Sequence, residues 1–195
     1  MWAIVTDGSI TKIINQPKPL VIGNTQYSRN IFSFRWSNEE REAIGLYEVV
    51  FDNTNLKDQE YYTNTNQSFA FADGVVTASY GSATAKALAD VTNEDDSITL
   101  GLKSQHKGKI KQQASSLLAT YDWYVIRKAD AGTAVPSAVT TYRAAVRTKS
   151  GQMETAIDNA ADVDALAALY QYVNTGTEEN PVMERPLGEF PVLEV

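Results

Sequence analysis

The sequence contains no cysteine and only one histidine, His106. Without cysteine, disulfide bonds, thiolate metal sites and thiol catalysis are excluded. A zinc site built on a pair of histidines is excluded too, because there is no second histidine. The acidic clusters of the chain do not have the glycine-punctuated spacing of a calcium loop. We therefore expect no metal site and no cofactor.

Long apolar runs and a surplus of basic residues are also missing. No stretch approaches the roughly 18 uninterrupted apolar residues of a membrane helix. The N-terminus lacks the basic start and long apolar core of a signal peptide. The net charge is −7 and the isoelectric point is about 4.8, an acidic balance that disfavours a general nucleic-acid binder. These absences predict a soluble, cytoplasm-made protein that binds neither membrane nor nucleic acid.

Motifs for catalysis are absent as well. The chain has no phosphate-binding glycine loop and no Gly-x-Ser-x-Gly nucleophile elbow. His106 lies in a lysine-rich run with no acid within one helical turn, so we expect a satisfied or exposed surface imidazole rather than a base. A glycosidase-like pair of carboxylates stays open, because the distance between two carboxylates is a tertiary property. We predict no catalytic residues and no enzyme, with a wall-degrading hydrolase as a distant alternative.

The first 90 residues have the pattern of a β-rich domain. Hairpin turns are predicted at Asp7-Gly8, at Gly23-Asn24 and at Asp73-Gly74. Ser37 followed three residues later by Glu40 is a capping box, which predicts a short helix that ends at Gly45. A strand is expected from 46 to 51, and the alanine-rich residues 82–90 favour a short helix.

The rest of the chain changes to a helical period. Residues 91–101 are polar and acidic and are expected to form a linker. Residues 102–176 are predicted to form a helical domain, with Pro136 at a first helical position and a last helix over about 152–173 that has Asp162 as an N-cap within it. Residues 177–195 contain three prolines and favour an extended segment that needs a partner surface to be ordered. The fold class is therefore α+β, with an N-terminal β-rich domain followed by a C-terminal helical hairpin or small bundle.

Charge is unevenly distributed along the helical part. Residues 102–149 hold nine Lys/Arg against two acids, whereas residues 150–195 hold one Arg against nine acids. Such opposed segments can pair within the chain or with neighbouring copies. Lys103, Lys107 and Lys111 recur every four residues and so share one helix face. The favoured interpretation is internal pairing with solvated faces, and a docking surface for an acidic partner is the alternative.

Aromatic and basic residues are concentrated in the middle of the helical part, at 121–128 and 142–147. Trp123 is a large, stiff side chain expected to pack between two helices, although it could instead anchor an interface. Five residues form the candidate partner-binding set of this sequence: Trp123, Arg127, Tyr142, Arg143 and Arg147.

A family resemblance rests on these same residues. Leu117-Leu118 followed by Asp122-Trp123, then Arg127-Lys128, a Gly/Pro break and Tyr142-Arg143-x-x-x-Arg147, resembles the C-terminal segment of tailed-bacteriophage tail assembly chaperones. The pattern covers about residues 103–170. The start Met1-Trp2-Ala3-Ile4-Val5-x-Asp7-Gly8, with Trp36-Ser37 and Ile44-Gly45, is similar to the N-terminal module of phage tail and tail-fibre assembly proteins. The middle, about 46–100, departs from the shortest members of that family.

The resemblance implies a non-enzymatic role in virion assembly. The expected partners are phage tail, tail-fibre or baseplate proteins, and homo-oligomerisation is left open. The expected location is the host cytoplasm during assembly. The alternative is a permanent structural component of the virion tail, such as a baseplate, fibre or fibre-attachment subunit.

Overall fold

The computed structural model describes residues 1–193 and separates the chain into two compact units, Met1–Thr84 and Ala85–Val195. The first unit is built on a sheet and the second on helices, so the predicted α+β class is confirmed. The boundary lies six residues before the expected end of the first domain at residue 90. Residues 85–90 lie with the helical unit because the Leu102 amide donates to the Ala87 carbonyl and the Gly101 amide to the Asp90 side chain. No helix in the described chain is long and apolar enough to cross a membrane.

The first unit is organised around a five-stranded sheet with the order β2-β1-β5-β8-β7. Its strands are β1 (Trp2–Thr6), β2 (Ser9–Ile14), β5 (Leu46–Asp52), β7 (Ser68–Ala72) and β8 (Val75–Ser79). Strand β5 pairs parallel to β8, and the other neighbours pair antiparallel. The sheet curls, so that the edge strands β2 and β7 approach each other.

Both faces of this sheet are covered by apolar side chains. Alternation along β1 sends Ala3 and Val5 into one cluster and Ile4 into the other, as the period of two in a strand requires. The second cluster is closed by Ile31 from a 3-10 turn (Arg29–Phe32) and by Leu20 from the hairpin of β3 (Leu20–Ile22) and β4 (Thr25–Tyr27). A small ladder of β6 (Tyr62–Thr63) with β9 (Thr84–Ala85) completes the strands of this region.

The local signals in this unit are confirmed one by one. Asp7-Gly8 and Asp73-Gly74 adopt positive φ angles in the turns β1–β2 and β7–β8, which matches the geometry of two-residue hairpins. Helix α1 (Asn38–Ala43) begins with the complete Ser37 capping box. Gly45 ends it at φ +79°, and a Cβ there would lie 2.6 Å from the Val5 carbonyl oxygen. Only glycine fits that position without a shift of the backbone.

The second unit is organised around two long helices. Helix α2 (Leu102–Ala119) packs against α4 (Ser137–Asn159). Two hydrogen bonds show that the helices run antiparallel: Lys103 near the start of α2 donates to Asp158 near the end of α4, and Arg143 near the start of α4 donates to Leu118 near the end of α2. Helix α3 (Asp122–Ala131) lies in the connection between them. Buried side chains at helical spacing on α4 fill the core: Val139, Tyr142, Val146, Met153 and Ile157. Pro136 stands one position earlier than predicted, at the N-cap.

Several expectations for this unit are wrong at the level of elements. The last helix does not run over 152–173: α4 ends at Asn159, and a separate α5 (Val163–Ala168) follows. The Asp162 side chain accepts from the Ala165 amide at 2.7 Å, which confirms the predicted N-cap but starts a new helix. Residues 82–90 form no helix. The expected linker contains a hairpin of β10 (Val91–Thr92) and β11 (Ile98–Thr99).

The C-terminal segment is ordered on its own unit over its described part. Strand β13 (Met183–Glu184) pairs with β12 (Val173–Asn174) in a hairpin, so Val173 is not part of a helical stripe. Beyond the hairpin, Leu187 is buried and its amide donates to the Leu169 carbonyl. Phe190 and Leu193 pack near Val146. The segment therefore does not need another protein to be ordered there, contrary to the expectation for 177–195, whose last two residues lie outside the described chain.

Candidate functional site

Among the helices of residues 85–193, α3 is the one without a buried residue. It nevertheless carries Trp123, Tyr124, Val125 and Ile126 in succession. Trp123 is 49% exposed and Ile126 is 66% exposed. The expectation that Trp123 is buried between two helices is therefore wrong. Because four consecutive large apolar residues span more than one face of a helix, α3 cannot bury all of them against α2.

The exposed ring of Trp123 is held in a stack. Its centroid lies 3.8 Å from that of Tyr124, and the Arg127 guanidinium lies 4.8 Å from the Trp123 centroid and 5.1 Å from the Tyr124 centroid. A cation over an aromatic face is attracted by the ring quadrupole. The contact also covers part of the Arg127 side chain. Two of the candidate partner-binding residues, Trp123 and Arg127, thus form one rigid, accessible feature on α3.

Arg143 has a structural role in the same region. Its side chain is only 11% exposed, and it donates to the Leu118 carbonyl at 2.6 Å and pairs with the Asp122 carboxylate at 2.8 Å. Leu118 belongs to the last turn of α2, where carbonyl groups lack partners within the helix. Asp122 is the first residue of α3. Arg143 therefore ties the end of α2 to the start of α3 and fixes the direction of α3.

Tyr142 is a core residue and not a surface residue. It is 7% exposed and lies in a cluster with Ala114 and Val146. Its ring packs edge-to-face on Tyr121 with centroids 5.4 Å apart. Burial raises the pKa of the Tyr142 phenol above its ordinary value. Because the ring is buried, its position does not support a direct contact between Tyr142 and a partner.

An open basic groove of about 420 Å³ runs beside α3. Val125 and Val135 supply apolar walls, and Lys128, Arg143 and Arg147 supply cations. Among residues 1–193, no acidic side chain lines this groove. Arg147 is exposed, and its guanidinium donates only to the Arg143 carbonyl, at 3.4 Å. Lys128 and Arg147 have no carboxylate partner within residues 1–193, so their charge is available to a binding partner.

The lysine face of α2 is, in contrast, paired within the chain. Lys103 donates to the Asp158 carbonyl and Lys107 to the Asp158 carboxylate, both from Nζ. Lys111 lies 3.4 Å from the Glu154 carboxylate. The hydrogen bond with Asp158 raises the pKa of Lys107. Internal pairing, the favoured interpretation of the charge pattern, is therefore confirmed for this face.

His106 lies inside the helical unit. It is 2% exposed, and its ring centroid is 4.9 Å from that of Tyr170. Of the two alternatives expected, a satisfied or an exposed surface imidazole, the exposed one is wrong. No group of three His, Asp or Glu side chains in the described residues is placed to hold a metal ion.

Comparisons of this chain with protein-family models, with curated proteins and with solved structures gave no match. The candidate site therefore rests on its own geometry. It consists of the exposed apolar side chains of α3, Trp123, Val125 and Ile126, together with the groove that Val125 helps to line and that contains Lys128 and Arg147. We call this the α3 surface.

Sequence reasoning missed the aliphatic part of the α3 surface. Val125 and Ile126 were not in the candidate set, although they are 46% and 66% exposed. A signal was present, since the run Trp123 to Ile126 has no polar residue and cannot be amphipathic over one turn. A short helix of that kind, flanked by Asp122 and Arg127, predicts that some apolar area stays outside the core.

Proposed function

We propose that this protein is a non-enzymatic bacteriophage tail or tail-fibre assembly protein that acts by binding tail or fibre subunits. The observation that carries the proposal is the α3 surface: a helix without one buried residue exposes Trp123 and Ile126, and its groove contains two cations, Lys128 and Arg147, that pair with no carboxylate of the described chain. Exposed aromatic and arginine side chains in one patch are the residue types that dominate protein–protein binding energy. Apolar surface of this kind is typical of a docking site.

The residues of the family resemblance divide into two groups in space. Asp122 and Arg143 pair with each other and position α3, and Tyr142 is buried in the cluster with Ala114 and Val146. Trp123, Arg127 and Arg147 lie at the surface. Asp122 and Arg143 hold α3 in place. Trp123 and Arg147 are exposed on or beside α3, and the Arg127 guanidinium stacks on Trp123. This arrangement supports a role in recognition, because side chains that are already held in place lose little conformational entropy on binding.

The experiment is co-purification of the full-length protein with the phage tail and fibre subunits encoded beside its gene. We expect a complex that is lost when Trp123→Ala and Ile126→Asn are combined, because both changes remove apolar contact area from the α3 surface. Phe34→Ala is the matched control, since Phe34 is 94% exposed but lies in the first unit. Equal binding by the α3 variant and the control would contradict the proposal.

Mass spectrometry of purified particles separates the two forms of this function. Absence of the protein from mature particles is the result expected for an assembly protein that acts in the host cytoplasm. A fixed copy number in the particle would instead make it a permanent component of the virion tail, with the α3 surface as its attachment site.

A further inference from the structure

The end of the second unit opposite to α3 carries a second exposed apolar surface. Residues 171–184, which contain β12 and β13, are all exposed. Four large apolar side chains lie on this hairpin with 46–56% exposure: Tyr172, Val173, Val182 and Met183. Its fold is fixed by its own hydrogen bonds, such as the Val182 amide to the Asn174 side chain at 2.9 Å. The hairpin is therefore an ordered, uncovered projection.

The charge of this hairpin is opposite to that of the α3 surface. Residues 171–184 contain three glutamates and no Lys or Arg. Glu178 and Glu179 are exposed and have no ion-pair partner among residues 1–193. The hairpin of β10 and β11, which directly precedes α2, contains three exposed acids and no cation: Glu94, Asp95 and Asp96. Residues 121–149, which build the other end, hold five cations against two acids.

The two surfaces cannot cover each other within one chain. Helix α3 follows the last turn of α2, whereas the β12–β13 hairpin follows α5, whose neighbouring Tyr170 packs on His106 in the second turn of α2. From His106 to Ala119, the last residue of α2, the helix rises by about 20 Å. Both surfaces are exposed in the single chain. A contact between these two surfaces, which are both apolar and opposite in charge, therefore has to join two molecules.

We propose that the α3 surface binds the β12–β13 hairpin of a second copy of this chain, so that copies associate head to tail. Glu178 and Glu179 of one copy face Lys128 and Arg147 of the next, and the apolar side chains of the hairpin cover Trp123 and Ile126. Such a heterologous contact builds a ring if the rotation closes and a filament if it does not. The inference rests on the proposed function only in taking the α3 surface as a protein-docking site.

Sedimentation velocity of the full-length protein at low salt, over a series of concentrations, tests this contact. We expect species larger than a monomer that dissociate as salt is raised, because exposed charges are screened. Arg147→Glu should weaken association about tenfold or more, and so should the pair Glu178→Lys with Glu179→Lys, since each places like charges opposite each other. Lys18→Glu, an exposed reversal in the first unit, should have no effect.

Mixing the two variants gives the sharper result. The Arg147→Glu chain keeps its hairpin and the Glu178→Lys/Glu179→Lys chain keeps its α3 surface, so the mixture has one native contact. The other contact then joins two surfaces whose charges are both reversed and so again opposite, and a head-to-tail arrangement predicts that two variants that associate weakly alone associate when mixed. A wild-type protein that is monomeric at every concentration, or a mixture that stays monomeric, overturns the inference. If tail or fibre subunits still bind such a monomer, the proposed function stands while the self-association fails.

Discussion

Residues that lie close together in the helical unit have different roles: some stabilise the fold, and others are exposed and available to a partner. Tyr142 is buried beneath α3 and Arg143 ties α3 to α2, while Trp123 and Arg147 face outward. Side chains of these types are compatible with either task, since aromatic residues serve both cores and interfaces. Burial, and not residue type, decides which task each one has.

Substitution of the two aromatic residues should separate these tasks. Tyr142→Ala should lower the free energy of unfolding by about 3–5 kcal/mol, because it removes a buried ring and leaves a cavity. Trp123→Ala should cost about 1 kcal/mol or less, because half of the indole is already in water. Urea titration followed by circular dichroism measures both. A larger loss for Trp123→Ala than for Tyr142→Ala would contradict the burial described for these rings.

The exposure of Trp123 could not be derived from its sequence neighbours. The sequence places residues 122–131 within a predicted helical domain but does not set them apart as a separate helix, which the structure shows. The side of that helix which meets α2 depends on the short connection at Thr120-Tyr121 and on the Arg143–Asp122 pair. Arg143 is 21 residues from Asp122 in the chain, so no local pattern relates them. The basic groove has the same origin, since α3, the loop that follows it and α4 each contribute to it.

At the scale of elements, the first turn of α2 depends on a residue outside the helix. Its N-cap, Gly101, has no side chain, and the Asp90 carboxylate accepts from the Gly101 amide at 2.8 Å and from the Ser104 hydroxyl at 3.0 Å. These hydrogen bonds lower the pKa of Asp90 below its ordinary value of 3.8, with the Gly101 amide as the largest cause. The carboxylate thereby supplies the negative charge that a helix N-terminus favours.

Lowering the pH should show how much the Asp90 carboxylate contributes to the stability of the protein. Because the folded-state pKa of Asp90 is lowered, its contribution to stability is present above the unfolded-state pKa and is lost as the pH falls through the folded-state value. Asp90→Asn keeps an acceptor oxygen but does not titrate. Thermal melts from neutral pH down to about pH 2 should therefore fall less steeply for this variant than for the wild type.

Glu94→Gln is the matched control for that series. Glu94 is an exposed acid in the hairpin of β10 and β11, four residues after Asp90. Its removal should leave the acid dependence of the melting temperature unchanged. The role of Asp90 at the start of α2 would be refuted if the two variants changed the acid slope equally.

Elements with a local cause were predictable. The three hairpin turns, the Ser37 capping box and the Asp162 N-cap each depend on residues within a few positions of one another. The break between α4 and α5 was not predicted as a break, because the apolar spacing continues across it. There the Asp162 side chain competes for a backbone amide and the chain turns extended at Ala160.

At the scale of the whole molecule, each unit has a core of its own. Leu46 and Leu166 are both fully buried, the first in the sheet unit and the second in the helical unit. We expect Leu46→Ala and Leu166→Ala each to cost about 2–5 kcal/mol in the unit that contains it. Native-state hydrogen exchange of the full-length protein should show faster amide exchange across that unit in each variant.

The two leucine variants control for each other. Faster exchange confined to residues 1–84 in one variant and to the remaining residues in the other would support energetic independence of the units. Uniform acceleration over the whole chain in both variants would show instead that the chain unfolds as one cooperative body.

The sequence by itself determined the order of a β-rich and a helical part, the hairpin turns and the helix starts, since these follow from short-range periodicity and turn chemistry. It also determined that opposite charges are concentrated in different stretches. Only the tertiary structure decided which of those charges are neutralised: the lysine face of α2 pairs with α4, whereas Lys128 and Arg147 pair with no carboxylate of residues 1–193. Pairing of charges and burial of rings depend on distances between residues far apart in the chain, and packing alone sets those distances.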